Sequence, residues 1–176
     1  MKSLTIQALV DQQWRDMAVV TINDPAKGSA SPCSLGYEMD YSIEWLESDD
    51  EHACSLALPV QVMIEHEADR WFGFLEDIVP AGAARRYLVD YWGLQGLSAG
   101  EQDSTLLEKG TIAPVGNLRI KESLPTVVAG STLHLRKFTV TDVINRDSDF
   151  LAYAQEMGAI SGGATGAGGE APKLLL

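Results

Sequence analysis

Residues 4–22 read Leu4-Thr-Ile-Gln-Ala-Leu-Val-Asp-Gln-Gln-Trp-Arg-Asp-Met-Ala-Val-Val-Thr-Ile22, and this stretch decides the fold. Two runs rich in apolar residues, 4–10 and 14–22, are separated by the polar residues 11–13. The end of the second run is rich in β-branched side chains, which favour strands. Two such runs around a short polar turn predict a β-hairpin, and a hairpin joins antiparallel strands.

Residues 35–45 carry a second strand signal, because large apolar residues alternate strictly with small or polar ones. The apolar members are Leu35, Tyr37, Met39, Tyr41, Ile43 and Trp45. A period of two is typical of a half-buried strand in an antiparallel sheet, so we predict one strand over all eleven residues. The apolar stripe indicates core rather than a ligand site. A looser alternation over 60–67 favours a further strand.

Helical periodicity follows the β-rich part of the chain. Residues 83–94 and 101–109 predict amphipathic helices, the second of which is closed by Gly110. A return strand is expected over 112–120. Together these signals predict an α+β fold, in which a mostly antiparallel, partly barrel-like sheet from residues 1–75 packs against the two helices.

The rest of the chain divides into two further parts. A strand over 133–140 and helices over 141–144 and 147–157 are expected before a glycine-rich end. The predicted boundaries are 1–122 for the β-rich N-terminal subdomain, 123–157 for a helical connector and 158–176 for the start of a new lobe.

The charge of the chain excludes one class of partner. Its 176 residues carry 25 acidic and 13 basic side chains, for a formal net charge of −12. Direct binding of nucleic acid needs a basic surface that neutralises phosphates, so we expect none. No secretory signal and no apolar run of about 20 residues is present, so we expect no membrane contact. Cys33 and Cys54 do not make a disulfide framework, and His52-x-Cys54 lacks the second half of a metal site, so we expect a cytoplasmic protein with reduced thiols.

The sequence ends with the glycine-rich stretch Ser161-Gly-Gly-Ala-Thr-Gly-Ala-Gly-Gly-Glu-Ala-Pro-Lys-Leu-Leu-Leu176. Five glycines fall between Gly162 and Gly169, and successive backbone N–H groups of such a loop can hold a phosphate. The order of residues fits neither a Walker A loop nor a dinucleotide fingerprint. A flexible linker is the alternative. The apolar run 174–176 favours the start of a buried strand, which predicts that the chain is a fragment of a longer protein.

Several of these segments together resemble one family, the HipA-like serine/threonine kinases of bacterial toxin–antitoxin systems. The segments that carry the resemblance are, in order, Tyr41-Ser-Ile-Glu-Trp-Leu46 with Ser55-Leu-Ala-Leu-Pro-Val60, Trp71-Phe-Gly-Phe-Leu-Glu-Asp-Ile-Val-Pro-Ala-Gly-Ala-Ala-Arg85, Leu106-Leu-Glu-Lys-Gly110 with Gly116-Asn-Leu118, and Gly168-Gly-Glu-Ala-Pro-Lys-Leu174. Each is short, but their order and spacing resemble the family over residues 4–176. Ala81 and Asn117 depart from the family's usual glutamate and alanine.

The resemblance implies how the glycine-rich stretch is used. Its loop would cover the phosphates of ATP, with the nucleotide-binding residues Gly163, Gly166, Gly168, Gly169 and Lys173. In the family this loop carries a serine that can be autophosphorylated. Gly166 takes its place here, and we hypothesise that Thr165 or Ser161 substitutes for it. The family's catalytic aspartate and Mg2+ ligands lie further along its chains, so we expect no catalytic and no metal-binding residue in this sequence.

The resemblance also implies partners and a cofactor. The full-length protein would use ATP and Mg2+ to phosphorylate a protein substrate. It would bind a DNA-binding antitoxin of the HipB-like type, which supplies the basic surface that this chain lacks. Residues 158–176 would be the truncated start of a kinase-like lobe, so the chain alone would be inactive.

Two other interpretations stay open. The first is a non-catalytic binding module that docks on a separately encoded kinase and restrains it, as the N-terminal subdomain does in some related systems. The glycine-rich loop distinguishes the two, because a stand-alone module has no use for it. The second is an unrelated antiparallel β protein with a disordered glycine-rich tail.

Overall fold

The computed structural model describes residues 1–111 and 116–124, together with the single residues 139, 141 and 145. Within this part, one antiparallel sheet and several helices form the α+β fold that the sequence predicts. The strands are β1 Lys2–Val10, β2 Gln13–Ile22, β3 Cys33–Tyr37, β4 Glu65–Ala68 and β5 Leu118–Ile120. The helices are α1 Met39–Glu44, α2 Gly73–Ile78, α3 Gly82–Tyr91 and α4 Ala99–Lys109, with short 3-10 turns at Pro25–Ala30 and Lys121–Ser123.

The predicted hairpin is confirmed and forms the centre of the sheet. β1 and β2 pair from Lys2 opposite Ile22 to the turn at Asp11 and Gln12. These two turn residues have φ of 49° and 63°, the left-handed values that a two-residue turn of type I′ requires. The strand order is β4-β3-β2-β1-β5, so over the described residues the sheet is open at β4 and β5 rather than partly barrel-like.

The strand predicted over 35–45 is wrong after Tyr37. β3 ends at that residue, and α1 occupies 39–44 instead. Tyr41 and Trp45 explain the error, because residues four positions apart lie on one side of a helix as well as on one side of a strand. Tyr41 is buried and Trp45 packs against the core, as expected for apolar residues at this spacing in either a helix or a strand. Alternation alone therefore does not separate the two structures here.

The other predicted elements are confirmed with shifted boundaries. The alternation over 60–67 produces a strand only at its end, in β4. The two helices predicted after the sheet are α3 and α4, and the return strand is β5, which pairs with β1. The elements and domain boundaries expected beyond residue 124 lie outside the described residues, apart from three isolated positions.

The core lies mainly between the sheet and the helices. Leu4, Ile6 and Val20 of the hairpin are fully buried in one cluster with Trp71 and Leu75 of the segment that contains α2. A second, small cluster joins α3 to α4. In the part of the chain that the structure describes, no helix is long and apolar enough to cross a membrane.

Candidate functional site

The predicted nucleotide-binding residues lie outside the part of the chain that the structure describes. They are Gly163, Gly166, Gly168, Gly169 and Lys173. The two hypothesised phosphorylation sites, Thr165 and Ser161, lie there as well. Their roles stay predictions. The described residues contain the other segments that carry the resemblance, and a groove beside the sheet.

Two of the resembling segments pack against each other. The first forms α2 and the beginning of α3, and the second forms the end of α4. Gly110 lies at their contact, since a Cβ added there would come within 2.7 Å of Cγ of Pro80. A guanidinium nitrogen of Arg85 on α3 lies 2.5 Å from a carboxylate oxygen of Asp103 on α4 and links the same two helices.

Buried polar side chains hold the loop that follows α1. The hydroxyl of Tyr37 donates to the carbonyl of Leu58 at 2.5 Å and accepts from the N–H of Cys54 at 3.0 Å. The hydroxyl of Tyr41 donates to the carbonyl of His52 at 2.9 Å. Both tyrosines therefore satisfy backbone groups that the loop would otherwise bury unpaired.

The buried thiols and phenols are not activated nucleophiles. Burial raises the pKa of Cys54 to about 12 and the pKa of Tyr41 to about 12. Burial also raises the pKa of Cys33 and the pKa of Tyr37. Each group stays protonated at neutral pH, so these side chains pack and donate hydrogen bonds rather than attack a substrate.

A groove of about 600 Å³ opens where β2 passes the start of α1. It is lined by Trp14, Arg15, Asp16, Glu38, Met39, Asp40 and Tyr41. A β-bulge shapes it, because the register shifts between Ile6 and Gln7 of β1 and leaves Met17 of β2 without an opposite residue. Bulges bend a strand and re-aim its side chains. The carbonyl of Met17 accepts from the N–H of Glu38 at 2.9 Å, which fixes the start of α1 beside the bulge.

A hydrogen-bonded row of side chains borders the groove and crosses three strands. Gln7 is its centre: Nε2 donates to Asp16 at 2.7 Å, and Oε1 accepts from Nε of Arg119 at 2.8 Å. The guanidinium of Arg119 also lies over the ring of Trp14, 3.9 Å from the centroid. Lys121 approaches the other oxygen of Asp16 at 2.6 Å. Although burial raises the pKa of Asp16, the bonds from Lys121 and Gln7 outweigh it and hold that pKa below its usual value.

The remaining charges of the groove are mostly negative. Arg15 is held by Glu44 through contacts of 2.9 and 2.5 Å, which raise the pKa of the guanidinium and lower the pKa of the carboxyl. Within residues 1–111 and 116–124, neither Glu38 nor Asp40 forms an ion pair. Asp40 and Glu38 therefore face the groove outside any of these ion pairs, beside an indole and a thioether, and Glu38 also interacts electrostatically with Lys121.

A second polar cluster lies in the loop after α1. Asp50, Glu51 and His52 each place one possible ligand atom within 4.8 Å of the others. They are three consecutive residues of an acidic loop, and Nδ1 of His52 already contacts Asp50 at 2.9 Å. The Sγ atom of Cys54 lies 3.6 Å from Sδ of Met17 in the core, so His52 and Cys54 do not converge. We assign no metal to this cluster.

The groove offers an indole, a thioether and several carboxylates, groups that suit the binding of a partner with apolar and cationic side chains. Sequence reasoning missed it, since Trp14, Glu38 and Arg119 are far apart in the chain and show no common motif. Only the pairing of β1 with β2 and β5 brings this region together. No protein-family model, no curated protein and no solved structure matches this chain.

Proposed function

We propose that this chain is the N-terminal part of a HipA-like protein serine/threonine kinase, in which residues 1–122 form a non-catalytic subdomain. One observation supports the proposal most: segments that carry the resemblance are distant in sequence but pack into one unit. Gly110, in the segment 106–110, lies against Pro80, in the segment 71–85.

In this proposal the chemistry belongs to residues further along the chain. Backbone N–H groups of the glycine-rich loop hold the phosphates of ATP, and Mg2+ is bound by residues beyond Leu176. The proposed partners are a HipB-like DNA-binding antitoxin and a protein substrate with a serine hydroxyl that accepts the phosphoryl group. The net charge of −12 agrees with this division, because the contact with DNA falls to the antitoxin.

The first test is the intact mass of the product of the natural gene. We expect a mass above the 19.0 kDa of this chain, and transfer of the γ-phosphate of Mg-ATP to protein by that product. Gly168→Val is expected to weaken binding of ATP, because the side chain blocks the approach of backbone to phosphate. Gly96→Val is the control, since nothing lies within 4 Å of a Cβ added at Gly96. A natural product of 19.0 kDa, or a longer one that binds no ATP, would overturn the proposal.

The loop also permits a test of autophosphorylation. We propose that Thr165 or Ser161 takes the role of the family's loop serine, whose modification silences the kinase. Phosphopeptide mapping of the active full-length protein should find one of the two modified. If both are unmodified in a preparation that phosphorylates other proteins, the switch is absent from this chain.

The second candidate function is a module that binds and restrains a separately encoded kinase. The groove favours it, because its lining residues suit binding of a partner. In that case the natural product has a mass of 19.0 kDa, and the purified chain co-elutes with the kinase and slows its autophosphorylation. A chain that neither binds the kinase nor slows it excludes this function.

A further inference from the structure

One face of α1 exposes large apolar side chains that do not contribute to the core of the folded monomer. Met39 and Ile43 lie one turn apart on the helix and are 43% and 63% exposed. Leu46 follows just beyond the helix cap and is 55% exposed. The sequence pattern predicts that Met39 and Ile43 are core residues, and the structure contradicts this. Clustered apolar side chains on a surface are typical of an interaction site.

Acidic side chains lie along the apolar ones. Asp40 and Glu44 follow Met39 and Ile43 by one position, which places an acidic row about 100° further around the helix. Glu47 extends the acidic row beyond the helix end and is exposed. We name the surface of Met39, Ile43 and Leu46, with these carboxylates, the α1 face. Met39 and Asp40 also line the groove, so the two surfaces are continuous.

The wider surroundings of the α1 face are acidic as well. No lysine or arginine occurs between Lys27 and Arg70, whereas ten aspartates and glutamates do. Among the described residues, Arg15 beside the face is paired with Glu44, and Lys121, which interacts with Glu38, is paired with Asp16. The field at this surface is therefore negative, and it attracts a cationic partner over about one Debye length.

We propose that the α1 face binds a segment of a partner protein in which a row of apolar side chains is flanked by lysine or arginine. Such a segment covers the apolar row and places its cations against the acidic row, the arrangement by which grooves take up amphipathic helices. A second copy of this chain would bring the same negative charge. Nucleic acid and an anionic membrane surface are repelled for the same reason. This inference does not depend on the kinase proposal, since binding here needs no ATP.

Peptide binding to the full 176-residue chain tests the proposal. The probe is a synthetic helical peptide with leucines along one face and lysines beside them, and its binding is followed by fluorescence anisotropy. We expect it to bind at least about tenfold more tightly than an anagram of the same composition that has no apolar face. Ile43→Ser should weaken binding about tenfold. Tyr91→Ser, on α3, is the matched control at 62% exposure and should leave binding unchanged.

The charge argument has its own test. Asp40→Asn combined with Glu47→Gln should weaken binding and flatten its dependence on ionic strength, while Asp77→Asn on α2 should change neither. The proposal fails if the anagram binds equally well, or if Tyr91→Ser costs as much affinity as Ile43→Ser. It also fails if sedimentation shows a dimer of the wild-type chain that Ile43→Ser dissociates, because the occupant is then a second copy.

Discussion

At the scale of single residues, Gly28 and Gly100 allow α4 to begin against the 3-10 turn at 25–30. A Cβ on Gly100 would lie 2.2 Å from the carbonyl oxygen of Ala26, and one on Gly28 would lie 2.6 Å from Cα of Gly100. Both clashes are with backbone, so no change of rotamer relieves them. Gly28 also has φ of 56°, which strains any other residue. The contact therefore needs glycine at both positions.

We expect Gly100→Ala to lower the free energy of unfolding by about 1–3 kcal/mol, because the methyl group must push α4 away from the turn. Equilibrium unfolding in urea measures the loss. Gly96→Ala is the control, since a Cβ there meets nothing within 4 Å. Surface changes of that kind are expected to stay within about 0.5 kcal/mol. Equal losses in the two variants would show that the close approach is not the cause.

Arg119 acts through the shape of its guanidinium as well as through its charge. We expect Arg119→Lys to lower the free energy of unfolding by about 1–2 kcal/mol, because lysine keeps the charge but loses the flat stack on Trp14 and the directed bond to Gln7. Thermal or urea unfolding gives the value. Lys109→Arg, at the exposed end of α4, is the matched control, and a neutral Arg119→Lys would contradict the role given to the stack.

At the scale of elements, α4 is the helix whose beginning is best defined. Ser98 accepts from the N–H of Glu101 at 3.3 Å, and Glu101 accepts from the N–H of Ser98 at 2.9 Å, a complete capping box. Ser98→Ala removes the first bond and should lower the free energy of unfolding by about 1 kcal/mol. Ser98→Thr keeps an acceptor and should restore most of it. Loss in both variants would point to packing rather than capping.

The elements also show which parts of the fold can be predicted from sequence patterns and which cannot. The hairpin over residues 4–22 is predictable, because two long runs meet at a turn that only a few residues can form. The helix α4 is predictable as well, because its periodicity and the closing Gly110 agree, although the capping box at Ser98 was not predicted. The region 35–45 is not, because Tyr41 and Trp45 serve a helix and a strand equally well. The strand β3 ends beside the bulge at Met17 of β2, where the carbonyl of Met17 accepts from the N–H of Glu38. The feature that marks the end of β3 therefore lies on another strand.

At the scale of the whole molecule, the groove could not be predicted from the sequence. Its parts come from β2 and from the start of α1, and the row beside it needs β5, more than 100 positions after β1 along the chain. Hydrophobic periodicity within a short segment gives no information about pairing between strands so far apart in the chain. The predicted nucleotide-binding loop is the opposite case: its glycines are visible in the sequence, and the structure describes none of them. The sequence thus predicts a loop motif and misses a surface built by tertiary pairing.

Stability should fall on both sides of neutral pH. On the acid side, the hydrogen bonds that Asp16 and Glu101 accept in the folded chain lower the pKa values of both carboxyls. As the pH falls, the unfolded chain therefore takes up protons at a higher pH than the folded chain does. Their contribution is present above their ordinary pKa values of 3.8 and 4.5 and is lost as the pH falls through the lowered ones. Urea unfolding of Asp16→Asn should show a smaller loss between pH 6 and pH 3 than the wild type; an identical loss would contradict the part given to Asp16.

The alkaline side depends on the buried thiols and phenols, of which Cys54 is the most deeply buried. Burial raises the pKa of Cys54 from its ordinary value of 9.0 to about 12, so between these values the unfolded chain loses a proton that the folded chain keeps. The contribution of Cys54 is therefore complete below pH 9 and falls above it by up to about 1.4 kcal/mol per pH unit. Cys54→Ala should flatten this slope, measured by urea unfolding across pH 8–11. Val60→Ala also shortens a fully buried side chain but removes no proton, so it should lower stability and keep the wild-type slope. If Cys54→Ala keeps that slope too, the thiol ionises as readily in the folded chain as in the unfolded one, and another group must account for the alkaline loss.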